Sequence, residues 1–354
     1  MFENLFDLRK ALTKQQRIIL GLGGILFILA LWLVFTSGAN PMVKSGILPH
    51  PLKVFTSYGD LYADNNLIQN TCKSIGLNLS GYVAALLFSI PIGFLIGLFG
   101  FFRGSFQPHV DAIRFVPLTA VTGIFITWFG IGISMKTIFL AFGIVIYLLP
   151  TIVVRIDEVK DVYLKTVYTL GASKWQTIKT VYFPAVMSKI SDDIRVLTAI
   201  SWTYIIVAEG IGDQGGLGSL IFKSGQRMGR PDKTFAILLM IIVFGVFQDK
   251  LFAFLDRKFF PHKYQTKPGY HKTNLKELSI WDTIWDYVFQ VMKYIFIAIY
   301  IFFAISEFFP LMGEGIKPMT YLFGGTQWVV HFIFLIAIFR MGYKLILSPK
   351  SSTR

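Results

Sequence analysis

The sequence has few of the residues from which catalytic and metal sites are built. Only one cysteine, Cys72, occurs in 354 residues, which excludes an intramolecular disulfide and a CxxC metal site. The five histidines are scattered, and none has the HExxH spacing of a zinc enzyme. No GxxxxGK[ST] phosphate-binding loop is present, since the glycines and Lys-Thr between Gly130 and Thr137 have the wrong spacing. The chain is therefore predicted not to be an enzyme, and any ATP must be bound by another chain.

Charged residues are also scarce. They make up 15% of the chain, against about 25% in soluble domains, and 54% of the residues are hydrophobic. Long uncharged runs exclude a water-soluble protein. A net charge of +14 would suggest nucleic acid as the partner of a soluble protein, but in a membrane protein it indicates basic loops facing the cytoplasm. We therefore expect lipid, and no nucleic acid, around this chain.

Eight hydrophobic runs have close to the roughly 20 residues that a helix needs to cross a bilayer. An even number places both termini on one side, and most lysines and arginines fall in segments on the same side as the amino terminus, so both termini are predicted to be cytoplasmic. Pro117 lies within the third run. The predicted spans are residues 17–36, 76–100, 116–131, 137–155, 193–210, 234–254, 287–308 and 325–346.

The spans suggest four parts. Residues 1–16 are amphipathic and predict an interfacial helix, with a disordered tail as the alternative. A transmembrane domain occupies 17–260 and contains a polar loop at 161–189. A basic linker and a second interfacial helix follow at 261–286, and a two-helix transmembrane extension at 287–354. We expect this extension to be peripheral, so that truncation near residue 262 leaves the rest assembled.

The polar loop, residues 161–189, contains two amphipathic stripes at helical spacing, separated by small residues at Gly171. Pro184 is expected to end the second helix, because it cannot donate to an earlier carbonyl. Two short helices with a tight corner form a surface that can fit a partner's groove, and the alternative for each residue is packing within the chain. The predicted docking residues are Leu164, Val167, Tyr168, Gly171, Ala172, Trp175, Ile178 and Pro184.

Two further patterns predict structure rather than chemistry. Gly93, Gly97 and Gly100 have the small-residue spacing of close helix contacts. The run from Ser191 to Asp193 is expected to cap the fifth span. A catalytic pair of carboxylates is the weaker alternative there, since adjacent residues do not face each other on a helix.

The stretch that begins TLGASKWQTIKTVYFPAVM at Thr169 resembles the cytoplasmic loop and following span of binding-protein-dependent ABC importer permeases, and is most similar to the nitrate/sulfonate/taurine/bicarbonate branch. Gly171, Ala172 and Pro184 match that family's loop, whereas residues 165–167 (Lys-Thr-Val) depart from its Glu-Ala-Ala. Three other segments are similar to the family in the same order: ILPHPLKVFTSYGDL at 47–61, IRFVPLTAVTGIFITWFGIG at 113–132 and AEGIGDQGGLGSLI at 208–221.

The resemblance implies an all-α integral membrane protein with a six-span type I ABC importer permease core, here followed by two extra C-terminal helices. It implies a bacterial inner-membrane location and three partners: a cytoplasmic ABC ATPase dimer, a second permease copy in a homodimer, and an extracytoplasmic substrate-binding protein. ATP and Mg would be bound by the ATPase, with no cofactor in this chain. The expected activity is passage of a small anion, such as nitrate, a sulfonate, taurine or bicarbonate, by alternating access.

Two alternatives remain at this point. One is a permease of the same type for a cationic or zwitterionic solute, held by aromatic faces such as Trp128. The other is a self-sufficient secondary transporter, which would need ionisable residues at mid-membrane.

Because a charge at the bilayer centre costs about 2.5–3.5 kcal/mol, each ionisable residue in a span is a functional candidate. Glu209, near the outer end of the fifth span, is expected to gate or to contact the binding protein, with a solvated rim as the slightly preferred alternative. Polar and aromatic residues in spans three and five are candidates to line the substrate pathway, or else to bond a neighbouring helix: Thr119, Thr122, Thr127, Ser201, Trp202, Thr203 and Tyr204.

Overall fold

The computed structural model describes residues 13–38, 40–212, 214–264, 280–309 and 317–347. Their regular structure is entirely helical, with no strand in these ranges, which confirms the all-α prediction. Most of the predicted interfacial helix at 1–16 and most of the predicted linker at 261–286 lie outside the described residues.

Fourteen α-helices occur in the described part of the chain, together with a few π and 3₁₀ turns. In chain order they are α1 (Lys14–Thr36), α2 (Pro51–Asp64), α3 (Leu67–Leu98), α4 (Gly100–Ile113), α5 (Thr122–Phe129), α6 (Ile133–Asp157), α7 (Asp161–Thr169), α8 (Lys174–Thr177), α9 (Phe183–Gly210), α10 (Leu217–Ile221), α11 (Pro231–Phe259), α12 (Ile280–Phe308), α13 (Pro318–Phe323) and α14 (Gln327–Leu347).

Six segments within the described ranges are long and apolar enough to cross a membrane: Gln15–Thr36, Leu67–Leu98, Ile133–Asp157, Pro231–Phe259, Trp281–Phe308 and Pro318–Tyr343. They correspond to six of the eight predicted spans. The predicted span at 193–210 falls in the second half of α9, whose first half carries several charged residues. The predicted interfacial helix before residue 287 is part of α12, which continues without a break from Ile280.

The predicted third span, residues 116–131, is wrong as a continuous helix. Only α5, with eight residues, forms in this interval, and eight residues extend about 12 Å at 1.5 Å each. Gly130 ends α5 with φ +71°, a conformation that favours glycine. A run of apolar residues was present, but its turn-forming residues prevent a helix long enough to span.

The chain divides into two compact units, of which the first comprises residues 1–65 and 221–239. A capping box at Thr13 starts α1. The indole N–H of Trp32 then donates to the carbonyl of Pro49 at 3.0 Å, which ties α1 to the start of α2. The Tyr58 hydroxyl donates to the carbonyl of Ala236 at 2.7 Å, joining α2 to the first part of α11.

The second unit comprises residues 66–220 and 240–354, and its core lies among α3, α6 and α9. Glycines of α3 allow α6 to approach closely: a Cβ on Gly93 would lie 2.6 Å from Ile152, and one on Gly97 would lie 2.5 Å from Ile156. Gly81 meets Leu140 in the same way. The packing prediction is confirmed for Gly93 and Gly97. It is wrong for Gly100, around which nothing lies within 4 Å.

The two C-terminal helices pack within this second unit. Tyr300 of α12 stacks on Phe334 of α14, with ring centroids 4.5 Å apart. The Gln69 amide of α3 donates to the carbonyl of Tyr321 in α13 at 2.9 Å, and a Cβ on Gly76 of α3 would clash with the side chain of Thr326. The extension therefore lies directly against a core helix, and the expectation that truncation near residue 262 leaves the rest assembled stays a prediction.

Candidate functional site

The corner of the polar loop is a Schellman motif. After α7 the Gly171 N–H donates to the carbonyl of Tyr168 at 3.0 Å, and the Ala172 N–H to that of Val167 at 3.1 Å. This 5→2 and 6→1 pair, with Gly171 at φ +74°, satisfies carbonyls that the helix end would otherwise leave unbonded. Ser173 then caps α8 in a capping box with Gln176. Local hydrogen bonds thus help to fix the angle between the two short helices.

The second stripe of the loop does not end at Pro184. A π-helical turn, Ile178–Tyr182, connects α8 directly to α9, and Pro184 lies in the first turn of α9. The Phe183 N–H reaches back five residues to the carbonyl of Ile178. Because proline is tolerated in a first turn, where N–H groups have no helical partner, the helix begins again at the proline instead of stopping. The prediction that Pro184 terminates the helix is therefore wrong.

The predicted docking residues differ in exposure. Tyr168 and Trp175 are 56% and 70% exposed, and Gly171 and Pro184 are also exposed. The remaining four, Leu164, Val167, Ala172 and Ile178, are half-buried, so they contribute to packing within the chain as well. Leu170, which is not among the predicted docking residues, is 80% exposed at the corner. Tyr168, Leu170 and Trp175 thus form an exposed apolar group around the Schellman turn, here called the corner group.

Ion pairs connect α6 to α9 beside the polar loop. Arg155 donates to both carboxylate oxygens of Asp193, at 2.8 and 2.7 Å, and also to Glu158 at 2.8 Å. Lys189 donates to Glu158 at 2.7 Å. These cationic donors, Lys189 first, hold the pKa of the Glu158 carboxyl below its ordinary value.

The capping prediction at Ser191–Asp193 is wrong. All three residues lie inside α9, which begins eight residues earlier at Phe183. Asp193 binds Arg155. Ser191 donates to Asp256 of α11, and Lys263 donates to the same carboxylate at 2.7 Å. These residues therefore connect α9 to neighbouring helices. They cap no helix, because α8 continues through the π turn into α9 and no helix begins at residue 191.

Two of the predicted pathway residues lie in a buried polar network. Asn78 of α3 donates to the hydroxyl of Ser201 at 3.0 Å. Gln248 of α11 donates to the Asn78 side-chain oxygen at 3.1 Å and accepts from the indole N–H of Trp202 at 2.7 Å. All four side chains are buried, so Ser201 and Trp202 join three helices through hydrogen bonds that apolar surroundings strengthen.

The other hydroxyl candidates are not brought together. Thr119, Thr127 and Thr203 are exposed, Thr122 is half-buried, and Tyr204 packs beside Gly143 of α6. Thr127 and Thr203 each donate to the carbonyl four residues earlier, at 2.9 Å, a common arrangement for hydroxyls in membrane helices. Their role in a pathway stays a prediction.

Glu209 is 2% exposed, and the expectation of a solvated rim is wrong. The Ser74 hydroxyl donates to the carboxylate, with oxygen–oxygen distances of 2.7 and 2.8 Å, and the Gly218 N–H donates to it at 2.8 Å. Ser74 in turn accepts from the Leu217 N–H at 2.8 Å, and Asn70 from the Gly216 N–H at 2.7 Å. The carboxylate thus holds the chain after α9 against α3.

The segment that encloses Glu209, residues 215–218, is called the glycine loop below. Gly215 and Gly216 have φ +84° and +104°. A Cβ on Gly216 would overlap the Glu209 carboxyl group, and one on Gly218 would lie 2.7 Å from the Ile206 carbonyl oxygen. At Gly216 both the dihedral angle and the space require glycine, and at Gly218 the space does.

Sequence reasoning missed Asn70, Lys73, Ser74 and Asn78, although a signal was present. These polar residues recur at helical spacing along one face of the otherwise apolar helix α3, and polar side chains inside a membrane segment face protein rather than lipid. Lys136, buried near the start of α6, carries the same signal. The glycine loop and Glu209 were both visible in the sequence, but the burial of Glu209 by that loop was not.

The fold and these sites define a multi-pass α-helical membrane protein with a rigid polar loop between two of its helices. Residues 89–261 match the family described as "Binding-protein-dependent transport system inner membrane component". The chain is 24% identical over 252 residues to the taurine transport system permease protein TauC of Escherichia coli, covering 70% of this chain and 90% of the relative. It is 30% identical over 240 residues to the putative aliphatic sulfonates transport permease protein SsuC of Bacillus subtilis, covering 65% and 83%.

A solved bacterial ABC transporter involved in the import of the acidic polysaccharide alginate is similar with a TM-score of 0.44 and 16% identity, over 68% of this chain and 94% of that one. The extent and identity of the match to SsuC, together with the family match, settle the assignment. The chain belongs to the binding-protein-dependent ABC transporter permeases, and it is a multi-pass inner-membrane component of such a system.

Proposed function

We propose that this chain is the transmembrane subunit of an ATP-driven importer that receives a small anion from an external binding protein and releases it to the cytoplasm by alternating access. The names of its relatives, which transport taurine and aliphatic sulfonates, support a sulfonate-like solute. Two copies of the chain would form the pathway, with both termini in the cytoplasm. ATP and Mg would be bound by a separate ATPase dimer.

The observation that carries the proposal is the corner group. Tyr168, Leu170 and Trp175 are each more than half exposed, and the Schellman turn and the Ser173 capping box hold them on a fixed frame. Aromatic residues on a rigid helix corner are frequent anchors of protein interfaces, and helix-in-groove docking needs such anchors. A cytoplasmic ATPase is the partner that this surface would fit in a permease of this family.

Motion of the docked corner would reach the spans through continuous structure. The chain runs from α8 through the π turn into α9 without a flexible link, and the Arg155–Asp193 pair connects α9 to α6. An ATPase that binds one arrangement of the spans better than the other shifts their equilibrium by that difference in affinity. The stiff connection makes such a difference possible.

The docking assignment is tested by Trp175→Ala in the full-length permease, expressed with its cognate ATPase. Removal of an aromatic anchor typically costs about 2 kcal/mol or more, which corresponds to about 30-fold weaker binding. Trp328→Ala is the matched control, because Trp328 is 72% exposed but lies in α14. Equal ATPase recovery from Trp175→Ala and the control would contradict the assignment.

The solute class is tested with the cognate binding protein. We expect that protein to bind taurine or an alkanesulfonate, and proteoliposomes containing the complete complex to accumulate the same solute only with ATP. Binding of a quaternary amine instead would support the alternative permease for a cationic or zwitterionic solute. Uptake by this chain in the absence of any ATPase would contradict the importer proposal altogether.

A further inference from the structure

A pocket of about 490 Å³ lies within the second unit, between the end of α4 and the helices α6 and α9. Arg155 and Asp193 line it near the polar loop, and Ile146 and Ile200 line it farther from that loop. Ile146 precedes Arg155 by nine residues, which is about 14 Å along a helix. The volume is within the range of small-molecule sites, about 300–1,000 Å³. The pocket can therefore hold a small organic solute.

Part of the pocket wall is apolar and part of the pocket is open. Ile146, Pro150 and Leu197 line it and are buried. Val154 and Val196 line it as well, and they are 51% and 71% exposed. From this side a solute can reach the pocket of the single chain, and a short hydrocarbon segment of that solute would contact the buried apolar residues.

Two of the four charged residues that line the pocket, Arg155 and Asp193, are paired with each other. Arg155 donates to Asp193 and also to Glu158, and Lys189 donates to Glu158. The two cations and the two carboxylates of this group balance each other. Arg155 and Asp193 therefore offer no net charge to a ligand.

The other two charged residues, Asp111 and Arg114, lie at the end of α4. They are three positions apart, a spacing that makes side chains neighbours on a helix. Both carboxylate oxygens of Asp111 accept from the neutral Gln107 amide, at 3.2 and 3.1 Å. The guanidinium of Arg114 lies over the Phe115 ring, 5.2 Å from its centroid, and it binds no carboxylate within the described residues. The pocket thus presents one carboxylate and one guanidinium, neither of them in an ion pair.

These two charges determine which solute fits the pocket. A simple anion would bind Arg114 but would lie near the Asp111 carboxylate, and a simple cation would lie near the Arg114 guanidinium, so each meets a like charge. A guanidinium can bind two oxygens of one acidic group at once, and an ammonium group donates to a carboxylate. A solute that carries both groups complements both residues, and it brings no net charge into the pocket.

We propose that this pocket binds a small zwitterion with an ammonium group and a sulfonate or carboxylate group, which are held by Asp111 and Arg114 respectively. The buried apolar residues contact the short hydrocarbon spacer between the two charged groups. Taurine has this chemistry, whereas an alkanesulfonate lacks the ammonium group. The pocket would thereby select taurine over an alkanesulfonate as the transported solute, a step that rests on the proposed importer function.

The test is calorimetric titration of the purified full-length chain at neutral pH in dodecyl maltoside, an uncharged detergent, with three solutes that share a two-carbon chain. Taurine carries both charged groups, ethanesulfonate lacks the ammonium group, and ethylammonium lacks the sulfonate group. We expect saturable binding of one taurine per chain. Its affinity should exceed that of either other solute about tenfold or more, as for the loss of a charged hydrogen bond.

Substitutions then assign each charged group of the solute to its residue. Asp111→Asn should bind taurine and ethanesulfonate with similar affinity, because the ammonium group loses its partner, and retained ethanesulfonate binding separates this loss from unfolding. Arg114→Gln should bind taurine no better than ethylammonium, and Arg114→Lys, which keeps the charge, should restore part of the affinity. Arg227→Gln is the control, because Arg227 is exposed and belongs to the first unit.

Three results would overturn the proposal: no saturable binding of taurine by the native chain, binding of ethanesulfonate or ethylammonium as tightly as taurine, or unchanged taurine affinity in Asp111→Asn or Arg114→Gln. Displacement of taurine by added phosphatidylethanolamine would overturn it as well. That headgroup carries an ammonium group and a phosphate, so displacement would assign the pocket to a lipid.

The proposed importer function is measured separately, by ATP-dependent uptake into proteoliposomes that contain the complete complex. A complex that takes up its solute with ATP, although the chain binds no taurine in the pocket, contradicts the zwitterion site alone. A chain that binds taurine through Asp111 and Arg114, in a complex that shows no ATP-dependent uptake, contradicts the importer proposal alone.

Discussion

Gly171 offers a test of the docking corner, because its replacement changes a dihedral preference at a position where a Cβ meets no neighbour. It lies at φ +74°, and a Cβ built on it has no neighbour within 4 Å. The Cβ of Gly171→Val therefore meets no other part of the chain. Its expected effect is the cost of the left-handed conformation, which is greatest for a β-branched residue. Gly171→Asn introduces a side chain that tolerates this conformation much better.

The expected magnitude follows from that cost. A left-handed conformation costs an ordinary L-residue roughly 1–2 kcal/mol, equivalent to a factor of about 5–30 in an equilibrium. Helix α7 has nine residues and buries none of them completely, and helices this short are marginal alone. The corner consequently has little stability to spare. If the ATPase binds only the folded corner, the apparent dissociation constant of the complex equals the intrinsic one divided by the folded fraction of the corner. It can therefore rise by up to about 5–30-fold.

The assay is the affinity of purified cognate ATPase for the permease in nanodiscs. The order of affinities should be native, then Gly171→Asn close to it, then Gly171→Ala, with Gly171→Val the weakest. Gly104→Val is the control, since Gly104 lies in helix α4 with nothing within 4 Å. Native affinity in Gly171→Val, or an equal loss in Gly104→Val, would refute the reasoning that the left-handed corner creates the docking surface.

Three other outcomes can be checked on the purified chain. Truncation just before Lys263 should lower the thermal unfolding midpoint more than truncation two residues later. The shorter chain lacks Lys263 and Tyr264, which donate to the buried Asp256 carboxylate, and breaking such a pair costs about 3–5 kcal/mol. Equal midpoints would contradict this. Gly216→Ala should destabilise the protein by more than Gly229→Ala, because a Cβ on Gly216 would overlap Glu209 whereas Gly229, at φ +61°, has open space; Gly229→Ala should cost only the conformational strain of about 1–2 kcal/mol. Because the folded-state pKa of Glu158 is lowered, its ion pairs should stabilise the chain at neutral pH and stop doing so as the pH falls through that lowered pKa; Glu158→Gln should show a shallower loss of stability in acid than the native chain.

Much of the fold could be predicted because membrane spans are encoded by local composition. Gly93 and Gly97 were assigned to helix packing from spacing alone, and both meet isoleucines of α6. The corner at Gly171 was also readable, since a glycine between two amphipathic stripes is a helix-end signal. The sequence signal for each of these features lies within a few neighbouring residues.

The errors concern features that depend on distant residues or on backbone adjustments. Pro184 was expected to stop a helix, but a π turn moved it into a first turn. The role of Asp193 is set by Arg155, 38 residues away, and no local pattern reveals that pairing. Glu209 is buried because Ser74 and the glycine loop surround it, and a single sequence does not show which distant residues will meet.

The close contact of α3 with α6 restricts how this protein can move. Glycines at 81, 93 and 97 accept side chains of α6 at three levels over 16 residues, about 24 Å of helix. A slide of one turn, about four residues, would leave a glycine at one of the three contacts but would bring Ala85 and Phe101, or Leu77 and Ser89, to the other two. The two helices are therefore expected to move together as one rigid pair. A solute would then have to pass beside this helix pair rather than between its two helices.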